Sequence, residues 1–265
     1  LGIEMRSQLG EERFRREMEC EFLVFDETLI NSVHLIEMAG IEPLERQGQV
    51  RWYKKPQPGC TYVVGLDPSL GTGGNPSAIQ VVELPSLMQV AEWQHNKTPV
   101  QAQVRILREI TKHIVDAIGI GTDVYYSVEN NTLGEAALVA IAELGEENIP
   151  GVFLSEPRKP GNTNIWRRGF NTTNKSKIAA CAKFKQLVET KKLKVASKNL
   201  ISELKTFVAK GTSYEAKEGE TDDLVMAMLL VVRMLQLLKE FDANLDKTVS
   251  DTLEDFIEPM PFIMI

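Results

Sequence analysis

Asp67, Glu129, Asp222 and Asp223 are the residues of this 265-residue chain whose setting best suits them for chemistry. Asp67 closes the apolar run TYVVGLD just before the turn-forming stretch PSLGTGGNPS, and Glu129 closes DVYYSVEN. Asp222 and Asp223 open the long apolar run LVMAMLLVVRMLQLL. Carboxylates that converge on one point repel each other strongly unless a cation sits between them. Hard oxygen ligands with no His or Cys beside them suit Mg2+ or Mn2+. Two such ions, about 4 Å apart, activate a water and stabilise the leaving oxygen in phosphodiester hydrolysis. Each residue also has an ordinary explanation. Asp-Pro-Ser is a common turn start, and Asp222 and Asp223 suit the positive end of a helix dipole with Thr221 as N-cap. Glu129 is harder to explain that way, because a charge at the end of a central strand is costly without a partner.

The elements that must hold these residues alternate regularly. TYVVGLD, SAIQVVEL and LMQVAEWQH read as three strands, followed by a helix from near Pro99 with Val104, Leu107, Ile110, Ile114 and Val115 on one face. A fourth strand, DVYYSVEN, precedes a helix over Leu133–Leu144, and GVFLSE is a fifth strand. Two basic helices, Thr173–Lys191 and Asn199–Lys210, come next, then a hairpin and the last apolar helix. Strands joined by short turns must be antiparallel, and strands separated by helices are parallel crossovers. The fold class expected is therefore α/β: an RNase H-like (RuvC-type) mixed central sheet, three antiparallel strands then parallel ones, with helices on both faces. Its first and fourth strands are central neighbours, so Asp67 and Glu129 emerge side by side, and the last helix brings its N-terminus to the same edge.

Residues 1–58 read as a leader: a charged amphipathic helix around Glu11–Met18, a strand-like EFLVF, and a turn-rich boundary at KKPQPGC. Residues 59–245 form the main domain. Residues 246–265, ending IEPMPFIMI, form a tail that either folds on the core or serves as an interaction peptide. The chain opens on leucine, which suggests a piece of a longer protein. It has no apolar run of the roughly 20 residues that span a bilayer and no secretory h-region. Cys20, Cys60 and Cys181 are scattered and include no CxxC pair, so neither a zinc site nor a disulfide framework is indicated, and a reducing cytoplasm is the default.

A net charge of −7 argues at first against a nucleic-acid partner, but between Gly151 and Lys210 there are 14 Lys/Arg and 3 Asp/Glu. Charge segregated this way suggests either a basic surface facing phosphates or a set of lysine-rich, solvated helix faces. Arg167, Arg168, Lys175 and Lys177 lie just ahead of and at the start of a helix, where helix amides and cations together seat phosphate. Trp166 beside them is a stacking group or simply packing.

The runs VVGLDPSLGTGG, YYSVENN and EGETDDLVMAMLL resemble the nuclease domain of the large terminase subunit of tailed bacteriophages, and RREMECEFLVF resembles the end of that motor's ATPase domain. The resemblance spans most of the chain, from about Glu11 to the last helix. It implies catalytic carboxylates at Asp67, Glu129 and Asp223, with Asp222 an additional or alternative metal ligand. Some relatives place a further acidic residue in the loop after the first strand, where this chain has Asn75. The activity implied is a metal-dependent endonuclease of low sequence specificity that cuts concatemeric double-stranded viral DNA during packaging. The implied setting is the cytoplasm of an infected bacterium, at the procapsid, with portal protein, small terminase subunit and an ATPase domain in cis as partners.

Three rivals stand beside it. An actin or sugar-kinase type ATPase shares the fold and has a comparable first phosphate loop, but it needs a second copy of DPSLGTGG that this chain lacks, and no GxxxxGK[ST] loop occurs either. A Holliday-junction resolvase or transposase core would use the same carboxylates but lacks the ATPase-like leader. A docking module that keeps only the fold would not need all three acidic positions.

Overall fold

The computed structural model describes residues 28–131, 134–157 and 168–241. Its frame is a seven-stranded sheet in the order β1-β2-β5-β4-β3-β6-β7, where β1 is Glu45–Gln47, β2 Val50–Trp52, β3 Thr61–Asp67, β4 Ser77–Leu84, β5 Met88–His95, β6 Val124–Val128 and β7 Val152–Phe153. β3, β4 and β5 form an antiparallel meander, while β6 runs parallel to β3 and β7 parallel to β6. β3 and β4 are buried along nearly their whole length, the mark of strands covered on both faces. This is the mixed RNase H-like sheet expected from the sequence.

Helices cover both faces. On one lie α2 (Val100–Ile118) and α3 (Gly134–Leu144), and α2 buries Val104, Leu107, Ile110 and Ile114 against Tyr62, Val64 and Leu66 of β3. On the other lie α4 (Asn174–Glu189), α5 (Lys198–Thr206) and α6 (Asp223–Phe241). α6 is apolar nearly all round because it is the central helix of that layer, with Leu224, Val225, Met228, Val231 and Val232 all buried. No helix among the described residues is long and apolar enough to cross a membrane.

Of the chain before the compositional boundary at residue 58, the described part, residues 28–57, packs on the sheet and its helices. Leu29, Ile30 and Leu35 (on α1, Ser32–Glu37) enter the α6 layer, and β2 pairs with β5 through Arg51 opposite Glu92 and Trp52 opposite Ala91. Two elements are shorter than their sequence patterns. The expected helix Asn199–Lys210 ends at Thr206, and Phe207–Lys210 becomes β8, paired with β9 (Ser213–Ala216), because Phe207 and Val208 are buried as strand residues. Of GVFLSE only Val152–Phe153 pairs, at the sheet edge. The leader run EFLVF, the helix at Glu11–Met18, the tail 246–265, Trp166 and Arg167 lie outside the described residues.

Candidate metal centre

The parallel pairing of β3 with β6 sets Leu66 opposite Val128, and the Glu129 N–H continues it by donating to the Leu66 carbonyl at 2.9 Å. Asp67 and Glu129 therefore leave the carboxyl ends of adjacent central strands together, 8% and 4% exposed. Their carboxyl groups lie close enough for each to feel the other's charge. Burial first, then the negative charge of Glu129, push the Asp67 carboxyl well above its usual range.

Asp223, at the start of α6, lies near enough to Asp67 for its charge to help raise that carboxyl, and α6 itself lies close on β3. At Gly65 a Cβ would stand 3.0 Å from Val231 Cγ2 and 3.2 Å from both the Ala227 carbonyl and Leu230 Cγ. A methyl there would oblige the helix or its side chains to give by a few tenths of an ångström. Asp223 is buried, and its carboxyl is pushed up to about 7 by burial, then by Glu203 and Asp222. Asp222 stays half-exposed beside it.

The surrounding loops are tied down. After Asp67, the Gln103 side chain from α2 grips the turn: its Oε1 accepts from the Ser69 N–H at 3.3 Å, and its Nε2 donates to the carbonyls of Ser69 (2.8 Å) and Thr98 (2.7 Å). Asn75 stands exposed further along this loop. After Glu129, α3 begins at Gly134, where a Cβ would sit 2.0 Å from the Glu129 carbonyl. On its far side the segment 168–172 runs along β6: the Phe170 N–H donates to the Val128 carbonyl (3.1 Å) and its carbonyl accepts from the Asn130 N–H (2.7 Å). Arg233 of α6 clamps that segment by donating to Thr172 Oγ1 and the Asn171 carbonyl, each at 3.0 Å, while pairing with Glu156 and lying 5.2 Å above the Phe170 ring.

The chemistry of this donor set fits a hard divalent cation: buried carboxylate oxygens at one sheet edge whose charges oppose one another. Among the described residues no three His, Cys, Asp or Glu side chains are gathered closely enough to enclose an ion as they stand.

The basic residues divide. Arg168 pairs with Glu146 and lies 4.7 Å from the centre of the Phe153 ring. Lys175 is exposed in the first turn of α4, and the Lys177 ammonium sits 5.5 Å from the Phe207 ring centre. Thr173 and Ser176 form a capping box at that helix start, so some of its amides are already satisfied.

Sequence reasoning missed Glu203. It lies on the buried stripe of α5 with Leu200, Ile201 and Leu204 and is itself 7% exposed. Its carboxyl is pushed up to about 7, chiefly by burial. The signal was present as a lone acid at the apolar spacing of NLISELK.

The sequence model of one family, the terminase RNaseH-like domain, matches residues 64–235. Among solved structures, the chain is similar to the large terminase nuclease from the thermophilic phage G20c with bound magnesium, at 18% identity and a TM-score of 0.57, covering 78% of this chain and 97% of that one. The large terminase nuclease domain of Thermus phage P74-26 is 20% identical with a TM-score of 0.54, covering 76% and 94%. A manganese-soaked terminase nuclease domain of human cytomegalovirus is 14% identical with a TM-score of 0.51, covering 77% and 94%.

Proposed function

The chain belongs to the terminase RNaseH-like domain family, and from that premise we propose that it is a divalent-metal-dependent endonuclease that cuts double-stranded DNA during viral genome packaging. The observation that carries the reading is the buried Asp67–Glu129 pair at the ends of adjacent parallel strands, with the charge of Asp223, at the start of α6, acting on Asp67. Asp67, Glu129 and Asp223, with Asp222 at the rim, hold one or two Mg2+ or Mn2+ ions. The relatives that carry magnesium or manganese support that choice of ion. When bound, the metal supplies an activated water and stabilises the leaving oxygen.

The protein's own part is to hold these carboxylates in place and to seat the duplex. Exposed Lys175 and its neighbours Arg167, Arg168 and Lys177 contact phosphates. Contacts to phosphates rather than base edges give low sequence preference and steep loss of binding with salt. In the parent motor the domain acts beside an ATPase domain, the portal and the small terminase subunit, in the cytoplasm of the infected cell.

The test is nicking of supercoiled plasmid in Mg2+ and in Mn2+ without ATP. Cleavage that EDTA stops, that Asp67→Asn abolishes, and that weakens between low and moderate salt is the expected result. Intact plasmid under every condition, from folded protein, would remove the nuclease reading.

A further inference from the structure

Glu203 is buried on α5, yet both its carboxyl oxygens are in use. Oε1 accepts from the side-chain amide of Gln94 at the end of β5 (2.7 Å) and from the Thr221 hydroxyl (3.1 Å). Oε2 accepts from the Val225 backbone N–H (3.1 Å), one of the first-turn amides of α6 that have no partner within the helix. Thr221 and Val225 flank Asp222 and Asp223, so one side chain grips the acidic segment on both sides and ties it through Gln94 to the sheet. A capping role alone would be met by a short polar residue next to the helix start. Here the cap is supplied from a different helix, 22 residues upstream of Val225. The consequence is a fixed distance between the start of α6 and the ends of the central strands.

Resting on the metal-dependent nuclease reading above, we propose that Glu203 is a positioning residue: by holding Thr221 and Val225 it sets where Asp223 stands relative to Asp67 and Glu129, and through that the affinity for a divalent cation. It touches neither the cation nor the DNA. Groups one layer out from a metal's ligands orient them, and their removal typically costs about 10–100-fold in metal affinity.

Two variants separate position from charge. Glu203→Gln loses the charge but keeps the length: its carbonyl still accepts from Val225, the Gln94 amide can turn over, and the Thr221 hydroxyl can rotate. Glu203→Asp keeps the charge but is one methylene too short to reach Val225. Each is titrated with MnCl2 by calorimetry and assayed for plasmid nicking across Mn2+ concentration, after circular dichroism and a melt establish that it folds. The Asp variant is expected to need about 10–100-fold more Mn2+ for half-saturation, with nicking largely restored at saturating metal. The Gln variant is expected to stay within a few-fold of the parent. Parental Mn2+ binding by the Asp variant overturns the proposal, and so does a Gln variant weakened as much as the Asp variant or more. A parent that neither binds Mn2+ nor nicks plasmid removes the nuclease reading itself, and the positioning role with it. A parent that does both, beside an unaffected Asp variant, removes the positioning role alone.

Discussion

Replacing Asp223 with Asn should stabilise the metal-free protein and at the same time take away its response to metal. The Asp223 carboxyl is raised from its ordinary 3.8 to about 7, first by burial and then by Glu203 and Asp222. At about 1.36 kcal/mol for each tenfold change in proton affinity, that is at most about 4 kcal/mol of destabilisation once pH exceeds 7. Glu203 and Asp222 carry part of the same repulsion, and the Asn amide oxygen accepts from the residue's own backbone more weakly than the charged carboxylate does. A net gain of about 1–2 kcal/mol is therefore expected, or roughly 2–8 °C in melting temperature for a domain of this size. In EDTA at pH 7.5, a thermal melt should place Asp223→Asn above the parent. With Mn2+ at a hundred times the parent's dissociation constant, the parent gains about 2.7 kcal/mol and the order reverses, because the variant gains little. A variant less stable than the parent in EDTA would refute the electrostatic reasoning. A variant that gains as much as the parent from Mn2+ would refute the role of Asp223 in holding metal.

Three further outcomes follow from the same geometry. In EDTA the parent should lose stability as pH rises from about 4 to about 7: Asp67, Asp223 and Glu203 all titrate higher in the fold than in the unfolded chain, so the fold binds more protons across that interval. Melts at stepped pH check this, and a flat or rising profile would contradict it. Gly65→Ala forces a methyl into contacts of 3.0–3.2 Å with α6; overpacking of this kind costs about 1–3 kcal/mol, and the displaced helix should weaken Mn2+ binding, both readable in one melt series with and without metal. Arg233→Met should cost about 2 kcal/mol in stability through lost charge-assisted hydrogen bonds and increase amide exchange of Asn130 and Phe170, whose N–H groups join β6 to the segment Arg233 clamps.

The layered fold was legible because its central strands are continuous apolar runs and its turns are rich in Pro and Gly. The side-by-side exit of Asp67 and Glu129 followed from strand order alone. What pattern could not give is distance. Nothing in TYVVGLD says that Gly65 is the point where α6 touches the sheet, and nothing in the adjacent pair Asp222–Asp223 says that the second is buried and the first half-exposed. Those facts depend on helix rotation, which tertiary packing sets. Glu203 was overlooked for a related reason: its partners Gln94, Thr221 and Val225 come from three separate places in the chain. Phe207–Lys210 was read as helix because local periodicity continues through it, whereas pairing with Ser213–Ala216 decides its conformation. Arg168 was read as facing phosphate, and in the fold it also pairs with Glu146.

The most direct measurement of the central claim is a crystal soaked in MnCl2, with diffraction collected near the manganese edge, from the same preparation that is assayed for nicking. The expected result is an anomalous peak bounded by the carboxylates of Asp67, Glu129 and Asp223. A protein that nicks plasmid but shows its manganese elsewhere, or none at these strand ends, would contradict the assignment.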